Sequence, residues 1–115
     1  MGQMPAETEY RDEAHAPTRA EIDATRGLVL LEFGTAWCGH CRALAFKVKE
    51  LLDRHPEVTH VKVEDGPGRP LGRSFQVRLW PSFVFLRDGQ VIRQLARPGH
   101  ASLEEAMSAL TSVAV

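Results

Sequence analysis

The stretch Trp37-Cys38-Gly39-His40-Cys41 contains both cysteines of the 115-residue chain, separated by a glycine and a histidine. Such a pair can bind a metal, form a structural disulfide or carry out thiol chemistry. A disulfide within this stretch would close a very short loop and would stabilise the fold little. A structural zinc site usually needs four ligands, often from two such pairs, and the other histidines are scattered along the chain. A redox-active pair is therefore the favoured interpretation.

The flanking sequence places the cysteine pair between a strand and a helix. Residues Leu28–Phe33 are apolar on both alternating faces apart from Glu32, which is typical of a central strand buried on both sides. From Cys41 to Leu52 apolar residues recur with helical spacing. A CxxC pair that follows a buried strand and opens a helix fits a redox motif. Because the start of a helix favours an anion, Cys38 is predicted to be the attacking thiolate and Cys41 the more buried second thiol.

The remaining periodic segments predict an α/β fold in which a strand–helix–strand crossover and a hairpin share one mixed sheet. Asp88-Gly89 is predicted to be the two-residue turn of that hairpin. The other predicted elements are a helix at Pro17–Ala24, a strand at Val58–Val63, a short helix at Leu71–Phe75, strands at Ser82–Leu86 and Gln90–Leu95, and a last helix capped by Ser102 and ending at Leu110.

Length and composition predict one domain whose core is stable without a disulfide or a metal, since 43% of the residues are apolar. Residues 17–115 are assigned to this domain, and the polar, acidic residues 1–16 to a flexible N-terminal arm, with a poor edge strand as the alternative. A net charge of −1 gives no general case for nucleic acid, and no apolar run is long enough to cross a membrane. The first 26 residues lack the apolar stretch of a signal peptide, so a cytoplasmic location is expected.

Several motifs spread along the chain resemble the thioredoxin family. They are Leu31-Glu32-Phe33, Trp37–Cys41, Val61–Glu64, Phe75–Ser82 and Asp88-Gly89. The Gly39-His40 dipeptide and the strand glutamate are more similar to the catalytic domains of protein disulfide isomerase than to bacterial thioredoxin. The resemblance implies the thioredoxin fold, with a central mixed β-sheet of four to five strands flanked by helices on both faces. It also implies a cis Trp80–Pro81 peptide bond.

The resemblance further implies two sets of site residues. The catalytic set is Cys38, Cys41, Glu32 and Lys62. The substrate-binding set is Trp37, Gly39, His40, Trp80, Pro81 and Gly99. The backbone of Trp80 is expected to pair with an extended substrate, although a residue as bulky as tryptophan before the proline departs from the family pattern.

Each polar residue of these sets also has a plainer interpretation. Glu32 is either a buried acid that exchanges a proton with Cys41 or the solvated end of a strand. Lys62 either neighbours that acid or is an ordinary exposed lysine. His40 either stabilises the Cys38 thiolate, which would make the pair more oxidising, or is a surface histidine.

The activity implied is thiol–disulfide exchange with disulfide-bearing protein substrates, by a monomer that uses no metal or organic cofactor. A reductase or a thiol donor would then reset the cysteine pair. The alternative is a thioredoxin-fold binding module dedicated to one partner, whose cysteines are used rarely or for metal. The arginine-rich segment 66–100 and Trp80 keep this alternative open. The segment is either an ordinary solvated face or a basic rim that selects acidic partners.

Overall fold

The computed structural model describes residues 6–112, which form a single four-stranded sheet with four α-helices. The elements are, in chain order, α1 (Arg19–Ala24), β1 (Leu28–Gly34), α2 (Gly39–Arg54), β2 (Val58–Glu64), α3 (Pro70–Ser74), β3 (Ser82–Arg87), β4 (Gln90–Ala96) and α4 (His100–Thr111). A short 3₁₀ turn, Glu13–His15, precedes α1. All the predicted helices and strands are present, and the α/β fold is confirmed.

The sheet has the strand order β2-β1-β3-β4 and is mixed, as predicted. Strand β1 pairs in parallel with β2 and antiparallel with β3, and β3 pairs antiparallel with β4. Strands β3 and β4 are joined at Asp88-Gly89, where both residues have positive φ (51° and 79°), the backbone of a type I′ hairpin turn. Strand β1 is therefore central, and its carboxyl end leads directly to the cysteine pair.

Two apolar cores lie on opposite faces of the sheet. Helices α2 and α4 cover one face, where Leu30 of β1 lies in one apolar cluster with residues of both helices. Helices α1 and α3 cover the other face, where Val29, Leu31 and Phe33 point. Strand β1 is apolar on both faces because it supplies both cores. Helices thus flank both faces of the sheet, and Glu32 lies on the α2 side together with Leu30.

The N-terminal segment, residues 6–12, lies along the outer edge of β2. The backbone N–H of Arg11 donates to the carbonyl of Lys62 at 2.7 Å, and its carbonyl accepts from the N–H of Glu64 at 2.9 Å. This isolated parallel bridge resembles the poor edge strand considered above more than a detached arm. The remainder of the arm, residues 1–5, lies outside the described residues, and the domain boundary at residue 17 stays a prediction.

Two helix starts differ from the expectation. Helix α2 begins at Gly39, before the apolar repeat, because Cys38 is its N-cap and its sulfur accepts the N–H of Cys41. The prediction that Ser102 caps the last helix was wrong: α4 begins at His100 with Gly99 as its N-cap. Glycine is tolerated at that position although it offers no capping side chain.

No helix within residues 6–112 is both long enough and apolar enough to cross a membrane.

Candidate active site

The two cysteines lie at the first turn of α2, both as free thiols. The Cys38 sulfur stands at the N-cap position and accepts a hydrogen bond from the backbone N–H of Cys41 at 3.3 Å. An N-cap sulfur faces the unpaired amides of the first turn, which stabilise a negative charge there. The geometry therefore suits Cys38 as a thiolate nucleophile with Cys41 one turn behind it.

Cys41 is the more buried of the two, although the difference is small. Cys38 is 6% exposed and Cys41 is 2% exposed, so both residues are almost entirely buried. Burial, together with a hydrogen bond to Cys38, raises the pKa of Cys41 to about 11. A thiol of this kind is almost fully protonated at neutral pH, and it needs a base before it can attack a disulfide.

Glu32 is a buried acid, 2% exposed, and both of its carboxylate oxygens are engaged. Its Oε1 accepts a hydrogen bond from Nε2 of the buried His60 at 2.8 Å, and its Oε2 accepts one from the hydroxyl of Tyr10 at 3.3 Å. The other ring nitrogen of His60, Nδ1, accepts the backbone N–H of Glu7 at 2.9 Å. An Nδ1 that accepts carries no proton, so the histidine is the neutral tautomer with its hydrogen on Nε2.

Tyr10 brings its hydroxyl from the N-terminal segment into the space between Glu32 and Cys41. A Cβ atom built on Gly34 would stand 2.5 Å from the Cys41 sulfur and 2.7 Å from the Tyr10 oxygen. The two atoms therefore share the small volume beside Gly34 that a side chain would otherwise fill. Burial, and then the charge of Glu32, raise the pKa of Tyr10, so this hydroxyl keeps its proton.

Lys62 is buried, at 9% exposure, and lies directly across from Glu32 in the register of β1 and β2. Its ammonium group stands 4.4 Å from the centre of the Tyr10 ring, a cation–π contact. The structure thus brings Lys62 into the neighbourhood of the acid, as the resemblance implied. Its described contact there is with the tyrosine ring.

Trp37 and Trp80 stand together beside the cysteines, with ring centres 5.6 Å apart in an edge-to-face pair. Trp37 is 73% exposed, whereas Trp80 is half-buried and donates its indole N–H to Asp65 at 2.8 Å. The Trp80–Pro81 peptide bond is cis. An exposed aromatic surface of this kind beside the cysteine pair is typical of a contact face for a polypeptide.

The other predicted substrate-binding residues are all exposed. Gly39 and His40 form the open first turn of α2. Gly99 is the N-cap of α4, two residues after Arg97, whose backbone N–H donates to the Pro81 carbonyl at 2.8 Å. The roles of these three residues stay predictions.

Most arginines of the predicted basic rim form hydrogen bonds with other groups of the same chain. Four arginines of the segment 66–100 bond to the chain itself: Arg69 to Glu64, Arg87 to carbonyls at the end of α4, Arg93 to Glu105, and Arg97 to the Trp80 carbonyl. Arg73 and Arg78 are exposed and line a cavity of about 670 Å³ beside Trp80. The case for a broad rim that selects acidic partners is weakened accordingly.

Sequence reasoning missed Tyr10 and His60. The signal for His60 was available, because His60 and Lys62 are two residues apart in a buried strand and so share a face. Parallel pairing with β1 then puts that face beside Glu32. No comparable signal marked Tyr10, whose position depends on long-range contacts of Glu7 and Arg11 at the edge of the sheet.

In the described part of the chain, no group of three or more histidine, cysteine, aspartate or glutamate side chains is arranged to hold a metal ion.

Alkylation of the reduced protein should distinguish the two thiols. Near neutral pH iodoacetamide is expected to modify Cys38 first, because with a pKa of about 11 only roughly 10⁻⁴ of Cys41 is thiolate at pH 7. Modification of Cys41 should rise as the pH approaches that value. Peptide mapping by mass spectrometry after short pulses reads both sites, and preferential labelling of Cys41 at pH 7 would reverse the assigned order.

The comparisons with known proteins agree on one family. The family model described as thioredoxin matches residues 11–109. The chloroplastic F-type thioredoxin of Brassica napus is 33% identical over 90 residues, which cover 74% of this chain and 50% of that protein. The chain thus spans about half the length of this curated relative.

Solved structures give the same result. The fold is similar to that of thioredoxin 2 from Pseudomonas aeruginosa PAO1 in its reduced form, with a TM-score of 0.78 and 55% identity over 90% of this chain and 95% of that chain. It is also similar to a chain in the complex of ferredoxin:thioredoxin reductase and thioredoxin f2, with a TM-score of 0.68 and 28% identity over 77% of this chain and 82% of that one. With the CxxC pair at the start of α2 and the cis-proline beside it, the chain has the thioredoxin fold and belongs to the thioredoxin family.

Proposed function

We propose that the protein is a thiol–disulfide oxidoreductase that exchanges disulfides with protein substrates through Cys38 and Cys41. One observation carries this proposal. The Cys38 sulfur is held at the N-cap of α2 by the N–H of Cys41, with a protonated thiol directly behind it. A structural cysteine pair would need neither a thiolate-stabilising position nor an acid network behind the second thiol.

The reaction proceeds in two displacements. The Cys38 thiolate attacks a substrate disulfide, forms a Cys38–substrate disulfide and expels the first substrate thiolate. Cys41 loses its proton and attacks the Cys38 sulfur, so that the Cys38–Cys41 disulfide forms and the second substrate thiolate leaves. Two electrons pass from the cysteine pair to the substrate, and both leaving thiolates take protons. Glu32 is the base nearest to this chemistry and is proposed to receive the proton of Cys41.

The substrate is proposed to lie in extended form against Trp37, Trp80 and Pro81, where its sulfur can reach Cys38. A reductase or a small thiol would return the pair to its reduced form. The similarity to a thioredoxin solved together with a ferredoxin:thioredoxin reductase supports a reductase partner. A monomer in the cytoplasm remains our working proposal.

Insulin reduction tests the proposal. With dithiothreitol as electron donor, the wild-type protein should accelerate precipitation of the insulin B chain, and Cys38→Ser should return the rate to background. Cys41→Ser should instead accumulate a mixed disulfide with the substrate, because the second displacement is blocked. Non-reducing gels and mass spectrometry identify this adduct.

The matched control is Ser74→Ala, which removes a hydroxyl at the end of α3 and leaves both cysteines in place. It should retain the wild-type rate. A wild-type protein that reduces insulin no faster than dithiothreitol alone would favour the binding-module alternative instead.

A further inference from the structure

The proton of Cys41 has no direct route to solvent on the side of the thiol. Cys41 is 2% exposed, and the Tyr10 hydroxyl shares with its sulfur the small space beside Gly34. The same hydroxyl donates to Oε2 of Glu32 at 3.3 Å. A single O–H group thus lies beside the thiol that must lose a proton and donates to the carboxylate that can accept it.

The carboxylate of Glu32 is the proton acceptor, and its Oε2 is the oxygen placed to receive the proton. Oε1 of Glu32 is already occupied by the Nε2–H of His60, whose tautomer is fixed by the backbone N–H of Glu7. Oε2 faces only the tyrosine among the described hydrogen-bond partners of this carboxylate. Glu32, His60 and Lys62 also line a cavity of about 660 Å³ between the N-terminal segment and α2, which gives the proton a way out from Glu32.

Building on the proposed function, we propose that Tyr10 is a proton-relay residue for the second displacement. As Cys41 attacks Cys38, its thiol proton moves to the Tyr10 oxygen while the hydroxyl proton of Tyr10 moves to Oε2 of Glu32. The Cys38–Cys41 bond forms, the Cys38–substrate bond breaks, and Glu32 ends as the neutral acid. The proton then leaves through the cavity beneath α2, and the departing substrate thiolate takes one from solvent.

A relay requires a group that ends the step with as many protons as it had at the start. The phenol meets this requirement because burial and the nearby Glu32 raise its pKa, so the phenolate is never a stable intermediate. The titratable groups facing it are Glu32 on β1, Lys62 on β2 and Cys41 on α2. The N-terminal segment therefore contributes a chemical group to the site as well as an edge to the sheet.

Tyr10→Phe tests the relay, because it removes only the hydroxyl and keeps the ring under Lys62. Ellman's reagent releases one coloured thiolate on attack by Cys38 and a second on attack by Cys41, so stopped-flow absorbance separates the two steps. The variant should show an unchanged first phase and a second phase slowed about 100-fold at pH 7, within the range for general acid–base catalysis. Asp12→Asn, an exposed change just beyond the tyrosine, is the control and should alter neither phase.

The pH dependence of the second-phase rate distinguishes a proton relay from a merely structural role of Tyr10. Without the relay the second phase depends on direct ionisation of Cys41, so its deficit should shrink as the pH rises toward 11. A second phase at the wild-type rate, or equal slowing of both phases, would overturn the relay. If the wild-type protein releases no second thiolate, the proposed function itself is wrong, so the two failures are distinct.

Tyr10 is the only tyrosine of the chain, which allows a second test if Tyr10→Phe does not fold. Biosynthetic replacement by 3-fluorotyrosine changes the acidity of this one hydroxyl and leaves its shape nearly intact. The second phase should change rate and the first should not. A second phase that is indifferent to the acidity of the phenol would exclude the relay.

Discussion

Replacing Glu32 with alanine is expected to slow the second displacement by about 100-fold or more and to lower the free energy of unfolding by about 2–4 kcal/mol. The rate falls because Cys41, with a pKa of about 11, loses the base that takes its proton. The first displacement should be nearly unchanged, since Cys38 does not depend on this acid for its place at the N-cap.

The stability change follows from the partners of the carboxylate. An unpartnered carboxyl in this position would be costly to bury, and its removal would stabilise the fold. Glu32 instead accepts hydrogen bonds from the buried His60 and the half-buried Tyr10, so the alanine variant leaves two donors without this acceptor. Each orphaned donor costs about 1–3 kcal/mol. The alanine variant should therefore unfold at lower urea concentration than the wild-type protein.

Glu32→Gln is the matched variant that separates the two effects. Its amide oxygen can still accept from His60, so stability should stay within about 1 kcal/mol of the wild type. It cannot act as a base, so the second displacement should be slowed as in Glu32→Ala. Urea unfolding and the two-phase stopped-flow assay measure these quantities separately. Wild-type kinetics in the glutamine variant would remove Glu32 from the proton path.

Gly89→Ala is expected to lower the free energy of unfolding by about 3 kcal/mol or more, with a fall in Tm of roughly 10 °C or more. Gly89 has φ of +79°, which costs a residue with a side chain about 1–2 kcal/mol. In addition, a Cβ there would run into the backbone carbonyl of Asp23 in α1. A backbone atom cannot move aside cheaply, so the hairpin tip or α1 must shift.

Gly68→Ala measures the first of these contributions alone, so its difference from Gly89→Ala gives the second. Gly68 has nearly the same φ, +78°, but a Cβ there would meet nothing within 4 Å. Its loss should therefore be only about 1–2 kcal/mol, the cost of the backbone conformation alone. Calorimetry on both variants gives the comparison. Equal losses would mean that the contact of the hairpin with α1 contributes nothing.

The sequence predicted the parts of the molecule that local pattern controls. Leu28–Phe33 could be identified as a central strand because both of its faces are buried, and the cysteine pair could be placed at a helix start because it follows that strand. The hairpin at Asp88-Gly89 was predictable because its turn needs residues that accept positive φ. These features depend on residues close together in the chain.

Features that depend on long-range packing could not be derived in the same way. The proposed proton path needs Tyr10 to lie across β2, and the long-range hydrogen bonds of Arg11 and Glu7 with β2 hold it there. The start of α4 was misplaced because Ser102 and Glu105 have the spacing of a capping box, whereas the chain enters that helix at Gly99. The capping pattern alone did not decide whether Gly99 or Ser102 is the N-cap.

Gly34 limits which residues evolution can place at this position. Its φ is not in the left-handed region, so space rather than backbone conformation excludes a side chain. That space is held by the Cys41 sulfur and the Tyr10 hydroxyl. Positions 10, 34 and 41 are therefore epistatic: losing the tyrosine alone would still leave the Cys41 sulfur 2.5 Å from a Cβ at position 34. A lineage that keeps the second cysteine thus selects for glycine at 34 whatever residue stands at position 10, so the redox thiol itself restricts the evolution of the strand next to it.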